Sequence, residues 1–138
     1  MTDQEIDWAI AEHLGWKVYQ VNFAFRSWIN FYPPGSKEAN LNTEAHQELS
    51  WDEFRLLQGQ RDMALPIQLT YPNYSTDLNA MHEAVASLTE LELSRYADEV
   101  CDLAYDGHHD SDIQMILKME ARPLAECYVR AIGKWRDK

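Results

Sequence analysis

"KVYQVNFAFRSWINFY", residues 17–32, decides the class of this fold. Tyr19, Val21, Phe23, Phe25, Ile29 and Phe31 fall on odd positions, with Gln20, Asn22, Arg26 and Asn30 between them. Such alternation places every second side chain on one face of an extended chain, so the six odd residues are the expected buried set. The run exceeds one ordinary strand and divides into two that bend or turn near Arg26 and Ser27. "PPGS" at 33–36 ends the second.

Helical patterns flank this pair. Upstream, Thr2 and Glu5 have capping-box spacing ahead of a helix whose Ile6, Ala9, Ile10, His13 and Leu14 share a face, and Gly15 stops it. Downstream, residues 37–66 read as an inserted excursion holding one short helix, from the Ser50/Glu53 capping box to Gly59. "PIQLTYP" at 66–72 is a third strand between prolines. A helix over 77–88 buries Leu78, Met81, Val85 and Leu88, and Thr89 with Glu92 opens another that runs to about Leu103. Ile113, Met115, Leu117 and Met119 alternate as a strand would, while Ser111 and Gln114 have helix-capping spacing; of the two, a fourth strand is the reading favoured. Pro123 suits the first turn of a last helix that presents Leu124, Cys127, Tyr128 and Ala131 on one side. This order predicts one α+β domain over 1–138, a small sheet covered by helices on both faces, in other words an α/β/α sandwich.

Charge narrows the function. The formal net charge of −11 opposes direct nucleic-acid binding, which rests on phosphate neutralisation. Residues 90–112 carry eight acids against Arg95 alone, which reads either as solvated surface that keeps a small protein soluble or as a negative face suited to a basic partner. Within it, Glu92, Asp98, Glu99, Asp102 and Asp106 are the candidate partner-binding residues. "MTDQEIDWAI" is acidic and amphipathic, unlike a signal peptide, and no apolar run has the length of a membrane span. Cys101 and Cys127 lack metal spacing and are expected to be buried thiols of a reducing cytoplasm.

"PNYSTDLNAMHEAV" at 72–85 concentrates polar chemistry at a strand-to-helix junction. Ser75, Thr76 and Asp77 can cap the helix. Asn79, His82 and Glu83 then share a helix flank, and Asn73 and Tyr74 precede them in the loop. Asn73, Tyr74, Asp77, Asn79, His82 and Glu83 are therefore the candidate ligand-binding residues, with Tyr74 stacking on a nucleotide-like small molecule. His82 and Glu83 are an acid–base pair if the protein is an enzyme. "HEAVA" lacks the second histidine of a zinc protease. "DGHHDSD" at 106–112 matches no EF-hand or structural zinc spacing, and no phosphate-binding glycine loop or nucleophile elbow occurs. No cofactor, metal or catalytic residue is expected. Trp8 lies off the first helix's apolar stripe, and Trp51 and Trp135 flank helix ends, as interface anchors or as cover for core edges.

Four segments in order, "AIAEHLGW" at 9–16, "YPPGS" at 32–36, "PNYSTDLNAMHEAV" at 72–85 and "AECYVRAIGKW" at 125–135, resemble the phage ABA sandwich domain family of small bacteriophage and prophage proteins. The resemblance spans nearly the whole chain and implies an α/β/α sandwich. Residues 37–66 depart from the family's pattern. It implies a phage accessory protein in the cytoplasm of an infected bacterium and carries no catalytic residues with it. The expectation is a soluble, non-enzymatic protein that binds a host protein, with a small-molecule binder as the alternative.

Overall fold

Residues 17–32 form an antiparallel hairpin, β1 (Lys17–Phe23) and β2 (Arg26–Tyr32), in the computed structural model, which describes residues 1–35, 46–60, 64–105 and 121–135. The hairpin anchors a mixed four-stranded sheet, and with five helices among the described residues the chain has the expected α+β composition. β3 (His46–Leu49) pairs antiparallel with β1, and β4 (Ile67–Leu69) pairs parallel with β2, giving the order β3-β1-β2-β4. β3 lies in the segment read as an excursion. It is an edge strand of the sheet, with Lys17 and Glu48 3.6 Å apart across the pairing.

The hairpin reverses at Ala24 and Phe25, two residues before the expected bend, and this changes which residues face together. Tyr19 sits opposite Asn30, Val21 opposite Trp28 and Phe23 opposite Arg26. Ile29 and Phe31 therefore share a face with Val18 and Gln20, not with Tyr19 and Val21. Tyr19, Val21 and Tyr32 are buried on one face, and Val18, Ile29 and Phe31 on the other. Phe23 and Phe25 depart from the expected burial. Phe23, in the last pair of the ladder before the loop, is 70% exposed, and Phe25, in the loop itself, is fully exposed.

The loop holds its shape at a cost. Ala24 has φ +54°, the left-handed region in which a Cβ crowds the following carbonyl. Positive φ at the first of two loop residues belongs to a type II′ hairpin, where glycine is the usual occupant. Ala24→Gly is expected to raise stability by about 0.5–1 kcal/mol, measured by urea unfolding. An equal loss would show that the loop does not hold this conformation.

The chain forms two compact units. The unit of residues 14–71 contains the sheet and α2 (Trp51–Gly59). Ser50 starts α2 with a complete capping box: its Oγ accepts from Glu53 N–H at 3.1 Å, and Glu53 Oε1 accepts from Ser50 N–H at 3.4 Å. This core is aromatic. The Phe31 ring lies 4.8 Å from that of Tyr71, 5.1 Å from Phe54 and 5.5 Å from Trp51, centroid to centroid. Trp51 Nε1 donates to the Trp16 carbonyl at 2.9 Å, so this indole is part of the core and not a free anchor.

The other unit, residues 1–13 with the described residues from 72 onward, is helical: α1 (Asp3–Leu14, its last residue assigned to the sheet unit), α3 (Leu78–Ala86), α4 (Glu90–Tyr105) and α5 (Ala121–Ala131). Thr2 Oγ1 accepts from Glu5 N–H at 3.2 Å at the start of α1. Ile6, Ala9 and Ile10 are buried as expected, and Trp8, expected off the stripe, is buried too. α5 buries Leu124, Cys127, Tyr128 and Ala131, the face read from the sequence. The strand expected at 113–119 lies outside the described residues. No described helix is long and apolar enough to cross a membrane.

Candidate functional site

The junction at 72–79 is built as structure first. The Asn73 carbonyl accepts from Thr76 N–H at 3.0 Å and Asp77 N–H at 2.8 Å, closing a turn. Asp77 then caps α3, its Oδ1 accepting from Asn79 N–H at 3.0 Å and Ala80 N–H at 3.3 Å. The turn is tied to α1 by a bond that sequence reasoning missed: Ser75 N–H donates to Asp7 Oδ1 at 2.8 Å. Asp7 is buried, and its carboxyl is pushed above the ordinary range, chiefly by desolvation, against the pull of the Ser75 hydrogen bonds.

The six candidate ligand-binding residues are placed differently from one another. Tyr74 is 3% exposed, so its ring offers no face on which a nucleotide can stack. Asp77 already occupies the helix N-terminus with its own carboxylate, where an anionic ligand would have to bind. Asn73, Asn79, His82 and Glu83 are all exposed. His82 lines a groove whose lining does not include Glu83, so an acid–base pair acting at one point is not assembled.

That groove is a concave feature of the helical unit. It has a volume of about 640 Å³ and lies among α3, α4 and α5. α3 contributes Leu78, His82, Val85 and Ala86; α4 contributes Leu93, Tyr96, Ala97, Val100 and Cys101; α5 contributes Leu124. The spacings i, i+4, i+7, i+8 on α3 and i, i+3, i+4, i+7, i+8 on α4 are each one helical face. The stripe expected to be buried on α3 is split by this arrangement. Met81 is buried with Ala80 and Ala84, while Leu78 is 39% exposed and Val85 half-buried along the groove. On α4, Leu93 is 45% exposed and Ala97 is also open to solvent.

The two cysteines differ. Cys101, expected to be buried, is exposed in the groove, because it falls on the open face of α4. Cys127 is buried, and desolvation together with Glu99 and Glu126 pushes its thiol up to about 12. Burial likewise pushes the Tyr96 hydroxyl up to about 12.

The candidate acidic residues differ in how far the fold engages them. Glu92 closes a capping box with Thr89, accepting from Thr89 N–H at 3.0 Å, and its Oε2 lies 3.1 Å from His13 Nε2 on α1. The Thr89 backbone bond holds its carboxyl below the usual range. Glu92 is thus a structural tether. Glu99 is half-buried, Asp98 and Asp102 are exposed, and Asp106 lies outside the described residues, as do His108, His109, Asp110 and Asp112. The Arg130 guanidinium lies 4.1 Å from the Trp135 ring centroid, a cation–π contact that covers this indole. Among the described residues no three His, Cys, Asp or Glu side chains converge as a metal site.

Sequence reasoning missed most of the groove, although the signal was present. α4 looks like a solvated acidic helix, yet Leu93, Tyr96, Ala97, Val100 and Cys101 form a stripe through its charges. Comparison with known proteins finds no matching family model, no similar curated protein and no similar solved structure.

Proposed function

We propose that this chain is a non-enzymatic bacteriophage accessory protein that works in the host cytoplasm by binding a host protein, a component of host defence being a fitting target. The open apolar groove between α3 and α4 carries this reading. Side chains such as Leu78 and Leu93 are held partly in water along the groove, and association that covers them is favourable. The phage context rests on the four segments that resemble the phage ABA sandwich domain family.

The alternative is a small-molecule binder, and the groove volume lies within the range of roughly 300–1,000 Å³ usual for such sites. A nucleotide is a poor match. Apart from the Tyr96 hydroxyl, the lining offers only the His82 imidazole and the Cys101 thiol as polar side-chain groups, too few for a base, sugar and phosphate.

The test is gentle affinity isolation of the tagged chain from infected bacterial cells, beside Ala97→Trp, which fills the groove from an exposed position. A host protein held in near-stoichiometric amount by the wild type and lost from Ala97→Trp is the expected result. Equal recovery with both proteins, or a bound small molecule and no protein, would overturn it.

A further inference from the structure

We propose that the occupant of the groove is a basic amphipathic helix, its apolar stripe lying between α3 and α4 and its Lys and Arg side chains over the acidic margin. This rests on the reading above, that the groove binds protein, and names the chemistry of the partner.

The backbone of the occupant argues for a helix. An extended peptide laid in the groove would bring unpaired N–H and C=O groups against a lining with few side chains able to pair them. A helix satisfies these groups internally and presents only side chains. The lengths also agree. From Leu93 to Cys101 the α4 wall rises about 12 Å, close to the two turns over which a partner helix places anchors at i, i+4 and i+7.

Charge selects the sign. Over their helical spans α3 and α4 carry six acids, Glu83, Glu90, Glu92, Asp98, Glu99 and Asp102, against one base, Arg95. Glu92 is engaged by His13 and Thr89, but Glu83, Glu90 and Asp98 are exposed beside lining residues. Glu90 precedes Ala97 by two turns, Asp98 precedes Cys101 by three residues, and Glu83 follows His82. Arg95, two residues from both Leu93 and Ala97, is turned about 200° away from them. The margin is therefore anionic, and it attracts a cationic helix while repelling an acidic one.

The experiment is fluorescence anisotropy of the full chain with three labelled peptides: a Leu/Lys helix with leucines at i, i+4 and i+7, its composition-matched scramble without an apolar face, and a Leu/Glu helix of the same pattern. The Leu/Lys helix is expected to bind, with the scramble and the Leu/Glu helix each at least about tenfold weaker. Glu90→Lys/Asp98→Lys should weaken the Leu/Lys helix about tenfold at low salt. Ala97→Trp should abolish its binding, and Asp52→Lys on α2 should leave it unchanged. Equal binding of the scramble would reduce the effect to net charge, and equal binding of the Leu/Glu helix would show that charge is not read. Self-association of the chain that Ala97→Trp removes would put a second copy in the groove; each of these results overturns the proposal. If Ala97→Trp loses the cellular partner but no peptide binds, the basic helix falls and the groove reading stands. If the partner is kept, the groove reading falls with it.

Discussion

Phe31→Ala is expected to lower unfolding stability by about 3–5 kcal/mol. Phe31, on β2, is 2% exposed, and three rings pack on it, Trp51 and Phe54 from α2 and Tyr71 from the segment after β4. Two of these contacts are edge-to-face, a geometry that adds to simple burial. Removing the ring leaves a cavity whose walls come from separate elements of the sheet unit, so its collapse is restricted. Phe31→Leu should lose less, about 1 kcal/mol or a little more, because most of the volume is kept. Urea unfolding followed by tryptophan fluorescence reads both. A loss below about 1 kcal/mol for the alanine variant would mean that the ring cluster is not the core of that unit.

The second large effect is expected at Asp7. Asp7→Ala orphans the Ser75 N–H and should cost about 1–3 kcal/mol, with melting of the 73–77 turn before the rest. Asp7→Asn keeps an acceptor oxygen and has no charge to desolvate, so it should be far milder at neutral pH. The pH dependence has a definite sign. The folded carboxyl titrates above its ordinary value, so the folded state holds the proton more tightly than the unfolded state. Stability from this group is complete below the unfolded pKa and is lost as pH rises through the folded one. The wild type should therefore gain on Asp7→Asn as pH falls toward 4, in paired urea titrations. A wild type that gains on Asp7→Asn with rising pH would contradict the assignment.

Much of the framework was legible because it is written locally. The capping boxes at Thr2, Ser50 and Thr89 each have both residues within one turn, and all three helices start where they indicate. The hairpin showed in its alternation, but its facing did not. A two-residue loop pairs odd positions of β1 with even positions of β2, so following odd numbers through the loop mixes two faces and misplaces Phe23 and Phe25. β3 escaped because "HQEL" has neither a β-branched nor an aromatic residue, and its pairing with β1 depends on residues far away in sequence. The Asp7–Ser75 bond joins residues 68 apart, with no signal at either end.

The candidate site was half legible for a related reason. Helical periodicity marks an apolar stripe but not whether another element covers it. Leu78 and Val85 have the spacing of core residues, and the α4 stripe is hidden among acids. In the fold these residues meet at a groove, with His82 the one member of the 72–85 candidate set on its wall.

Cys101 gives a direct test of the central claim, that this groove is the binding surface. Of the two cysteines, Cys101 is exposed in the groove and Cys127 is buried with a raised pKa, so alkylation of the folded chain reports on Cys101. The measurement is the alkylation rate of Cys101, read by mass spectrometry on the intact chain, alone and with the partner recovered from cells. With the partner at about ten times its dissociation constant, the rate is expected to fall about tenfold. An unchanged rate in the complex would place the partner on another surface and rule out the groove.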